Sequence, residues 1–224
     1  GISHDLRTPL ARLRLETEMS VDDPQAREHM AADIEQVNAI IDKFLDYARP
    51  EHNEPQRVSL NDVVESAIFA MGNDPSLQVS TNIQPDTVVM GDEVELQRVF
   101  ANLLENAQRY GKDPDTHIAT VEIAAKAKED AVLVKLRDHG VGVSPDMLEQ
   151  LTQPFFRGNA SRTSATGTGL GLAIVERAFN LMGGRFVLAN SSTGGLAAHI
   201  KLVRAAPEKA KEKDRERAAP AQTT

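Results

Sequence analysis

The chain has 224 residues, 41% of them hydrophobic, which is enough to bury a sizeable core in one or two domains. Its formal net charge of -8 excludes the clustered basic footprint of a nucleic-acid-binding protein and provides no polybasic surface for direct contact with a membrane. It has no cysteine, which excludes disulfides and cysteine-based metal sites and is compatible with a reducing compartment, with the cytosol as the default expectation. We therefore expect any anionic ligand to be held by local chemistry rather than by net charge.

The first 49 residues predict a helical hairpin. Apolar residues recur at three- and four-residue spacings in two stretches, and Asp22-Asp23-Pro24 separates them. Because two helices cannot bury both stripes alone, we expect a homodimer that forms a four-helix bundle. The first stripe contains Ile2, Leu6, Leu10, Leu13 and Met19, and the second contains Ile34, Val37, Ile41, Phe44, Leu45 and Ala48. No run approaches the ~18 apolar residues of a membrane span. Because the sequence starts without Met and inside a helical pattern, we expect a fragment whose upstream portion is missing.

The stretch I-S-H-D-L-R-T-P-L, residues 2–10, carries a group of reactive side chains on the first helix. Positions four apart share a helix face, so His4 and Thr8 are expected to project together, with Asp5 beside them. A purely structural role is the alternative, because a lone histidine is usually solvated and Pro9 can simply kink the helix.

A polar, proline-bounded stretch over residues 50–55 predicts a linker and therefore a domain boundary. Helix patterns near 61–72, 92–110 and 169–182 then alternate with strand patterns over 79–83, 87–90, 121–125, 132–136, 186–188 and 198–202. This order predicts an α/β domain over residues 56–203, with helices packed on a largely antiparallel sheet. Residues 204–224 carry charges of alternating sign and predict a disordered charged tail.

Asn102 and Asn106 lie one turn apart on the predicted helix near 92–110 and share a face. Amide oxygens are hard, neutral ligands that suit Mg²⁺, which also takes water and substrate phosphates. A pair of capping or solvated asparagines is the alternative.

The motif Asp138-His-Gly140-Val-Gly142 directly follows a predicted strand. The glycines let the backbone approach a flat ligand closely, and an ionised aspartate can accept a hydrogen bond from an exocyclic amino group such as that of adenine. The same pattern also describes an ordinary turn.

Two further stretches suggest a phosphate site with a lid. Gly167-Thr-Gly169-Leu-Gly171 opens a predicted helix, whose free N–H groups and positive dipole end favour phosphate. No βαβ unit and no G-K-[ST] accompanies it, which excludes a Rossmann site and a Walker loop. The Phe155-Phe156 pair lies in a polar loop and predicts an anchor for a mobile lid, with burial as plain core as the alternative.

The boxes S-H-D-L-R-T-P, N-L-L-E-N-A, D-H-G-V-G, F-F-R-G and G-T-G-L-G-L occur in this order over residues 1–203, which resemble the catalytic half of a bacterial two-component sensor histidine kinase. Within that family, S-H-D-L-R-T-P-L, A-x-R-Y-G and P-F-x-R-G are similar to the EnvZ-like osmosensor kinases. The resemblance implies an α+β fold. A dimerisation and histidine phosphotransfer hairpin over 1–49, truncated at its N-terminus, precedes an α/β-sandwich ATP-binding domain of the GHKL (Bergerat) type.

The resemblance also implies the role of each box. His4 accepts the γ-phosphoryl group of ATP, Asp5 orients the imidazole and acts as base, and Thr8 serves a second activity that dephosphorylates the partner regulator. Asn106 holds Mg²⁺. The residues implied in nucleotide binding are Asn102, Asn106, Arg109, Tyr110, Asp138, Gly140, Gly142, Phe155, Arg157, Gly167, Thr168, Gly169, Leu170 and Gly171.

The implied partners are a second copy of the chain and an OmpR-like response regulator, with this fragment forming the cytoplasmic portion of an inner-membrane protein. Two other functions stay open. An ATP-hydrolysing relative of gyrase, Hsp90 and MutL needs a water-activating glutamate at the position of Asn102, and we expect Glu105 to lie on a different helix face. A degenerate, non-catalytic docking module predicts eroded boxes, and none is eroded.

Overall fold

The computed structural model describes residues 2–48, 54–158 and 167–206, and of residues 2–4 it describes only the backbone. Over these residues the chain forms a helical hairpin followed by an α/β domain, as the sequence predicts. Most of the predicted 50–55 linker and residues 207–224 of the predicted tail lie outside the described residues.

The hairpin consists of α1 (Ile2–Ser20) and α2 (Pro24–Ala48), separated at the predicted break. At the start of α2, Asp23 Oδ1 accepts a hydrogen bond from the Gln25 N–H at 2.9 Å, and Pro24 occupies the first helical position. α1 continues as a helix through Pro9.

Two ion pairs mark the antiparallel register of the hairpin. Arg7 Nη2 lies 2.7 Å from Asp42 Oδ1, and Arg14 Nη1 lies 2.6 Å from Glu35 Oε1. From the first pair to the second, the position on α1 rises by seven residues and the position on α2 falls by seven, as expected for antiparallel helices. The same register places position 4 of α1 opposite position 45 of α2.

Four helices and seven strands form the described part of the α/β domain. In chain order they are β1 (Gln56–Ser59), α3 (Leu60–Ala70), β2 (Leu77–Asn82), β3 (Val88–Gly91), α4 (Glu93–Tyr110), β4 (Ala119–Ala127), β5 (Ala131–Asp138), α5 (Pro145–Leu148), α6 (Gly171–Leu181), β6 (Arg185–Asn190) and β7 (Leu196–Val203). Over the described ranges, no helix combines the length and the apolar character needed to span a membrane.

The main sheet has the strand order β2-β4-β5-β7-β6. β2 runs parallel to β4 and the other neighbouring strands are antiparallel, which confirms the prediction of a largely antiparallel sheet. Buried and exposed residues alternate along most of β5, because one face of the sheet packs on helices and the other faces solvent. The core joins β4, β5 and β7 to α3, α4 and α6 and includes Leu60, Phe100 and Phe179.

The sequence does not predict β1 or α5. β1 has four residues with one buried side chain, that of Val58, so it shows no clear alternation, and it pairs only with β3. α5 is a single turn.

The C-terminal boundary lies beyond the predicted residue 203. Arg204 forms an isolated antiparallel bridge with Val89, and the Ala205 N–H donates to Val88 O at 3.0 Å. Ala205 is buried. Residues 204 and 205 therefore belong to the folded domain, because they pair with β3 instead of entering a tail.

Candidate functional site

Four of the predicted motifs meet at one cavity of about 450 Å³. α4 supplies one wall, the loop after β5 a second, and the segments on either side of residues 159–166 a third. The predicted residues that line the cavity are Asn102, Asn106, Arg109, Tyr110, Asp138, Gly142, Arg157, Gly167, Thr168, Gly169 and Gly171. Tertiary packing thus brings together stretches that are up to 69 residues apart in sequence, Asn102 to Gly171.

α4 presents both predicted asparagines to the cavity. The helix starts after Asp92, whose side chain accepts hydrogen bonds from two backbone N–H groups of the first turn. Asn102 is buried in the middle of the helix, and its Nδ2 donates to Arg98 O at 2.8 Å. Asn106, one turn later, is half-buried in the cavity wall. Neither asparagine caps the helix.

Asp138, the last residue of β5, lies in the cavity wall with 6% of its surface exposed. Its Oδ1 accepts hydrogen bonds from the Gly140 N–H at 2.9 Å and the Leu196 N–H at 3.1 Å. Both bonds fall on Oδ1, which leaves Oδ2 to accept from a ligand amino group. Gly140 packs on the end of α4, where a Cβ would lie 2.7 Å from Gly111 Cα, so only glycine permits this approach.

The glycine-rich segment 167–171 before α6 packs against the loop that contains Phe155 and Phe156. Gly169 has a φ of +70°, and a Cβ on it would lie 2.8 Å from the carbonyl carbon of Phe155. The Phe155 N–H donates to Gly169 O at 2.9 Å. α6 then begins at Gly171 with no side-chain cap from Leu170. Its first N–H groups, next to the cavity, are therefore suited to an anion.

Three of the predicted residues do not line the cavity: Gly140, Phe155 and Leu170. Leu170 is fully buried in the core, and Phe155 has a φ of +63° with 56% of its surface exposed. The neighbouring Phe156 lines the cavity instead. The sequence does not distinguish the two phenylalanines, because an irregular loop has no periodicity that separates an inward from an outward position.

Sequence reasoning missed two groups of cavity residues. The first group is apolar and suits the faces of a flat ring, and it comprises Val141, Val143, Met147, Leu151, Phe156, Leu172 and Leu196. The second group is polar and consists of Lys43 on α2, Glu105 on α4 and Ser144 before α5. Nothing local marks Lys43, because its partner Asn102 lies 59 residues further along the chain.

The prediction that Glu105 lies on a different helix face from Asn102 is wrong. Lys43 Nζ donates to Asn102 Oδ1 and to Glu105 Oε2, both at 3.0 Å. Residues three apart on a helix are neighbours, so one ammonium group reaches both side chains. The Glu105 carboxylate is held in an ion pair with Lys43, which does not suit it to act as a general base.

The cavity wall carries one more positive than negative side chain, although the chain as a whole is acidic. Lys43, Arg109 and Arg157 line the cavity, against the carboxylates of Glu105 and Asp138. No group of three or more His, Cys, Asp or Glu side chains that could hold a metal ion occurs in the part of the chain that the structure describes. A metal would therefore depend on the amide oxygen of Asn106 together with phosphate oxygens and water. This donor set fits Mg²⁺.

Comparison with known families agrees with this geometry. Residues 91–206 match the model of the histidine kinase-, DNA gyrase B-, and HSP90-like ATPases, and residues 1–53 match that of the His Kinase A (phospho-acceptor) domain. The chain belongs to the histidine kinase-like ATPase family. The resemblance predicted from the sequence boxes, with its hairpin and ATP-binding sandwich, is confirmed.

Curated relatives of this chain are sensor proteins. Sensor protein RstB of Escherichia coli K12 is 36% identical over 205 residues, which cover 87% of this chain and 46% of RstB. Sensor protein PfeS of Pseudomonas aeruginosa is 32% identical over 213 residues, which cover 92% of this chain and 46% of PfeS. The chain thus spans somewhat less than half the length of these relatives. The structure of full-length ShkA in complex with AMPPNP has the same fold, with a TM-score of 0.71 at 21% identity over 92% of this chain and 46% of ShkA.

The S-H-D-L-R-T-P box lies near the start of α1, within the residues that match the phospho-acceptor domain. The box is helical, so positions 4 and 8 are one turn apart on one face. Asp5 and Thr8 are exposed. The side chain of His4 lies outside the described residues.

Proposed function

We propose that this chain is an ATP-dependent histidine kinase core, which takes the γ-phosphoryl group of ATP onto His4 and passes it to an aspartate of a response regulator. One observation carries this proposal: the phospho-acceptor hairpin packs against the nucleotide cavity, so that Lys43 of α2 forms part of its wall. The hairpin register places position 4 at the level of position 45, two residues from Lys43. A kinase that phosphorylates its own histidine needs its acceptor hairpin beside the nucleotide, whereas a simple ATP hydrolase does not.

The walls of the cavity suggest how ATP binds. The adenine amino group donates to Asp138 Oδ2, while apolar side chains such as Met147 and Leu151 contact the ring. The phosphates lie toward the first N–H groups of α6 and toward Arg109. Mg²⁺, when bound through Asn106, neutralises phosphate charge.

The transfer itself needs few protein groups. Asp5 holds a proton on one imidazole nitrogen of His4, which leaves the lone pair of the other nitrogen free to attack. The bond from that nitrogen to the γ-phosphorus forms as the bond from the γ-phosphorus to the bridging oxygen breaks, and ADP leaves with the electron pair. Asp5 then takes the proton from the other imidazole nitrogen, which leaves a neutral phosphorylated ring. Positioning and charge stabilisation supply most of the catalysis in such a loose transition state.

Thr8 supports a second activity in the same proposal. It lies one turn from His4 on the same helix face, and its hydroxyl can hold a water in line with the aspartyl phosphate of the regulator. We assign it a phosphatase role toward an OmpR-like regulator, as the family resemblance implies.

The proposal includes a homodimer in which two hairpins form a four-helix bundle. Leu13, Met19, Val37 and Phe44 are exposed on the single hairpin, and burial of this apolar surface favours pairing with a second copy. We also propose, on the family resemblance, that this region lies on the cytoplasmic side of an inner membrane.

Incubation with γ-labelled ATP and Mg²⁺ tests the proposed function. We expect stable, acid-labile label on the protein, which chases onto the receiver domain of an OmpR-like regulator. Release of inorganic phosphate without protein label would instead support an ATP hydrolase. A chain that neither takes up label nor hydrolyses ATP would be a docking module.

A further inference from the structure

The last turns of α2 contact the ATP-binding domain through polar side chains. Arg98 Nη1 of α4 donates to Asp46 O at 2.7 Å, and the Arg177 guanidinium of α6 lies 5.3 Å from the centre of the Tyr47 ring. Lys43, one turn before these residues, enters the cavity wall. The hairpin is therefore docked at the same helices that carry the nucleotide motifs.

Lys43 contacts two side chains of the cavity wall. Its ammonium group lies 3.0 Å from both Asn102 Oδ1 and Glu105 Oε2, and its side chain is 28% exposed. Asn102 Nδ2 is held by Arg98 O, so the amide turns its oxygen toward Lys43. One lysine from the hairpin thus orients one cavity side chain and neutralises another.

The neutralised carboxylate lies where it would oppose ATP binding. Glu105 lines the cavity and directly precedes Asn106, the residue assigned to Mg²⁺. A carboxylate in the wall of a polyphosphate site repels the ligand, and the repulsion is stronger in a partly desolvated site than in bulk water. The charge of Lys43 cancels that repulsion only while α2 is docked.

We propose that Lys43 is a positioning residue of the nucleotide site, which the phospho-acceptor hairpin supplies and which acts by neutralising Glu105 and orienting Asn102. The inference rests on the proposed ATP site. It makes ATP affinity depend on the docking of α2, so the nucleotide binds best when the hairpin that bears the acceptor box is docked on the ATP-binding domain.

The alternative is an inhibitory latch, in which the contacts of Lys43 with Asn102 and Glu105 block the site and must break before ATP binds. The two arrangements predict opposite changes in ATP affinity when Lys43 is replaced. Removal of the lysine charge weakens ATP binding if Lys43 acts as we propose, and strengthens it if Lys43 is a latch.

The test uses the full chain and a fluorescent trinitrophenyl-ATP probe, displaced by ATP in the presence of Mg²⁺. Lys43→Met, Glu105→Gln and the double variant are compared with wild type. Arg14→Met is the matched control, because it removes a hairpin cation that pairs with Glu35. Circular dichroism and thermal melts establish that each variant is folded.

We expect Lys43→Met to raise the Kd for Mg-ATP about 5- to 10-fold, with a smaller loss at high salt. Glu105→Gln should lower the Kd a few-fold, and the double variant should return to within about twofold of wild type, because its net local charge is unchanged. Arg14→Met should match wild type.

Three results would overturn the inference: tighter binding by Lys43→Met, unchanged binding, or a double variant as weak as Lys43→Met. Failure of the wild-type chain itself to bind Mg-ATP would instead refute the proposed function. The two failures are thus distinguishable in one set of titrations.

Discussion

Replacement of Asp138 by asparagine separates its structural role from its proposed role in adenine recognition. The carboxylate uses Oδ1 for the Gly140 and Leu196 N–H groups, at 2.9 and 3.1 Å. An asparagine oxygen can accept both bonds. Its Nδ2 then takes the place of Oδ2, so an acceptor becomes a donor at the position that faces the ligand.

The expected effect on stability is small and the expected effect on binding is large. Loss of charge assistance in the two backbone hydrogen bonds should cost about 1 kcal/mol of unfolding free energy, or a few degrees in Tm. Opposite the adenine amino group, the introduced amide leaves two donors unpaired, which costs about 1–3 kcal/mol and raises the Kd for ATP by roughly one to two decades.

Inosine triphosphate provides a second measurement, because its ring carries a carbonyl oxygen in place of the amino group of adenine. The carbonyl can accept a hydrogen bond from asparagine but not from an ionised aspartate. Asp138→Asn should therefore lose its preference for ATP over inosine triphosphate or reverse it.

Isothermal titration calorimetry with both nucleotides, combined with thermal melts, checks this prediction. Asp138→Ala, which removes both acceptors, should lose stability as well as binding. Asp86→Asn, in an exposed turn, is the control for charge. A folded Asp138→Asn variant that binds ATP as the wild type does and still rejects inosine triphosphate would refute the assignment of Asp138 to adenine.

The remaining predictions concern the other proposed roles. His4→Gln should keep ATP binding and lose all acid-labile label from γ-labelled ATP. Acid-labile label in that variant would show that another histidine is phosphorylated. Asn106→Ala should abolish the dependence of ATP binding on Mg²⁺, because an alanine offers no oxygen ligand; titration at several Mg²⁺ concentrations measures this, and a retained dependence would contradict the proposed ligand. Thr8→Ala should keep autophosphorylation and phosphotransfer but lose most phosphatase activity, measured as loss of label from a phosphorylated regulator with Mg²⁺ and ADP. Full phosphatase activity in Thr8→Ala would leave that residue only a backbone role ahead of Pro9.

Local features of the sequence predict most elements of the fold. The spacing of apolar residues in the first 48 residues and the Asp22-Asp23-Pro24 break predict α1, α2 and the turn between them, because helix periodicity and caps act over a few residues. Strand patterns near 121–125 and 132–136 predict the centre of the sheet for the same reason. The four-residue strand β1 escapes prediction, since its pairing with β3 is a contact between distant segments.

Some features of the candidate site also follow from local sequence, and others depend on tertiary packing. The residue types of the asparagine helix, the D-x-G-x-G loop and the glycine run indicate nucleotide chemistry by themselves, because amides, backbone N–H groups and a helix N-terminus have that chemistry wherever they meet. Only the tertiary structure decides that Phe156 and not Phe155 lines the cavity, and that Lys43 reaches Asn102 and Glu105 from another domain. The physical reason is the sequence separation over which each interaction acts. Spacing along the chain determines which side chains share one helix face, whereas packing of the whole chain determines which helix faces meet.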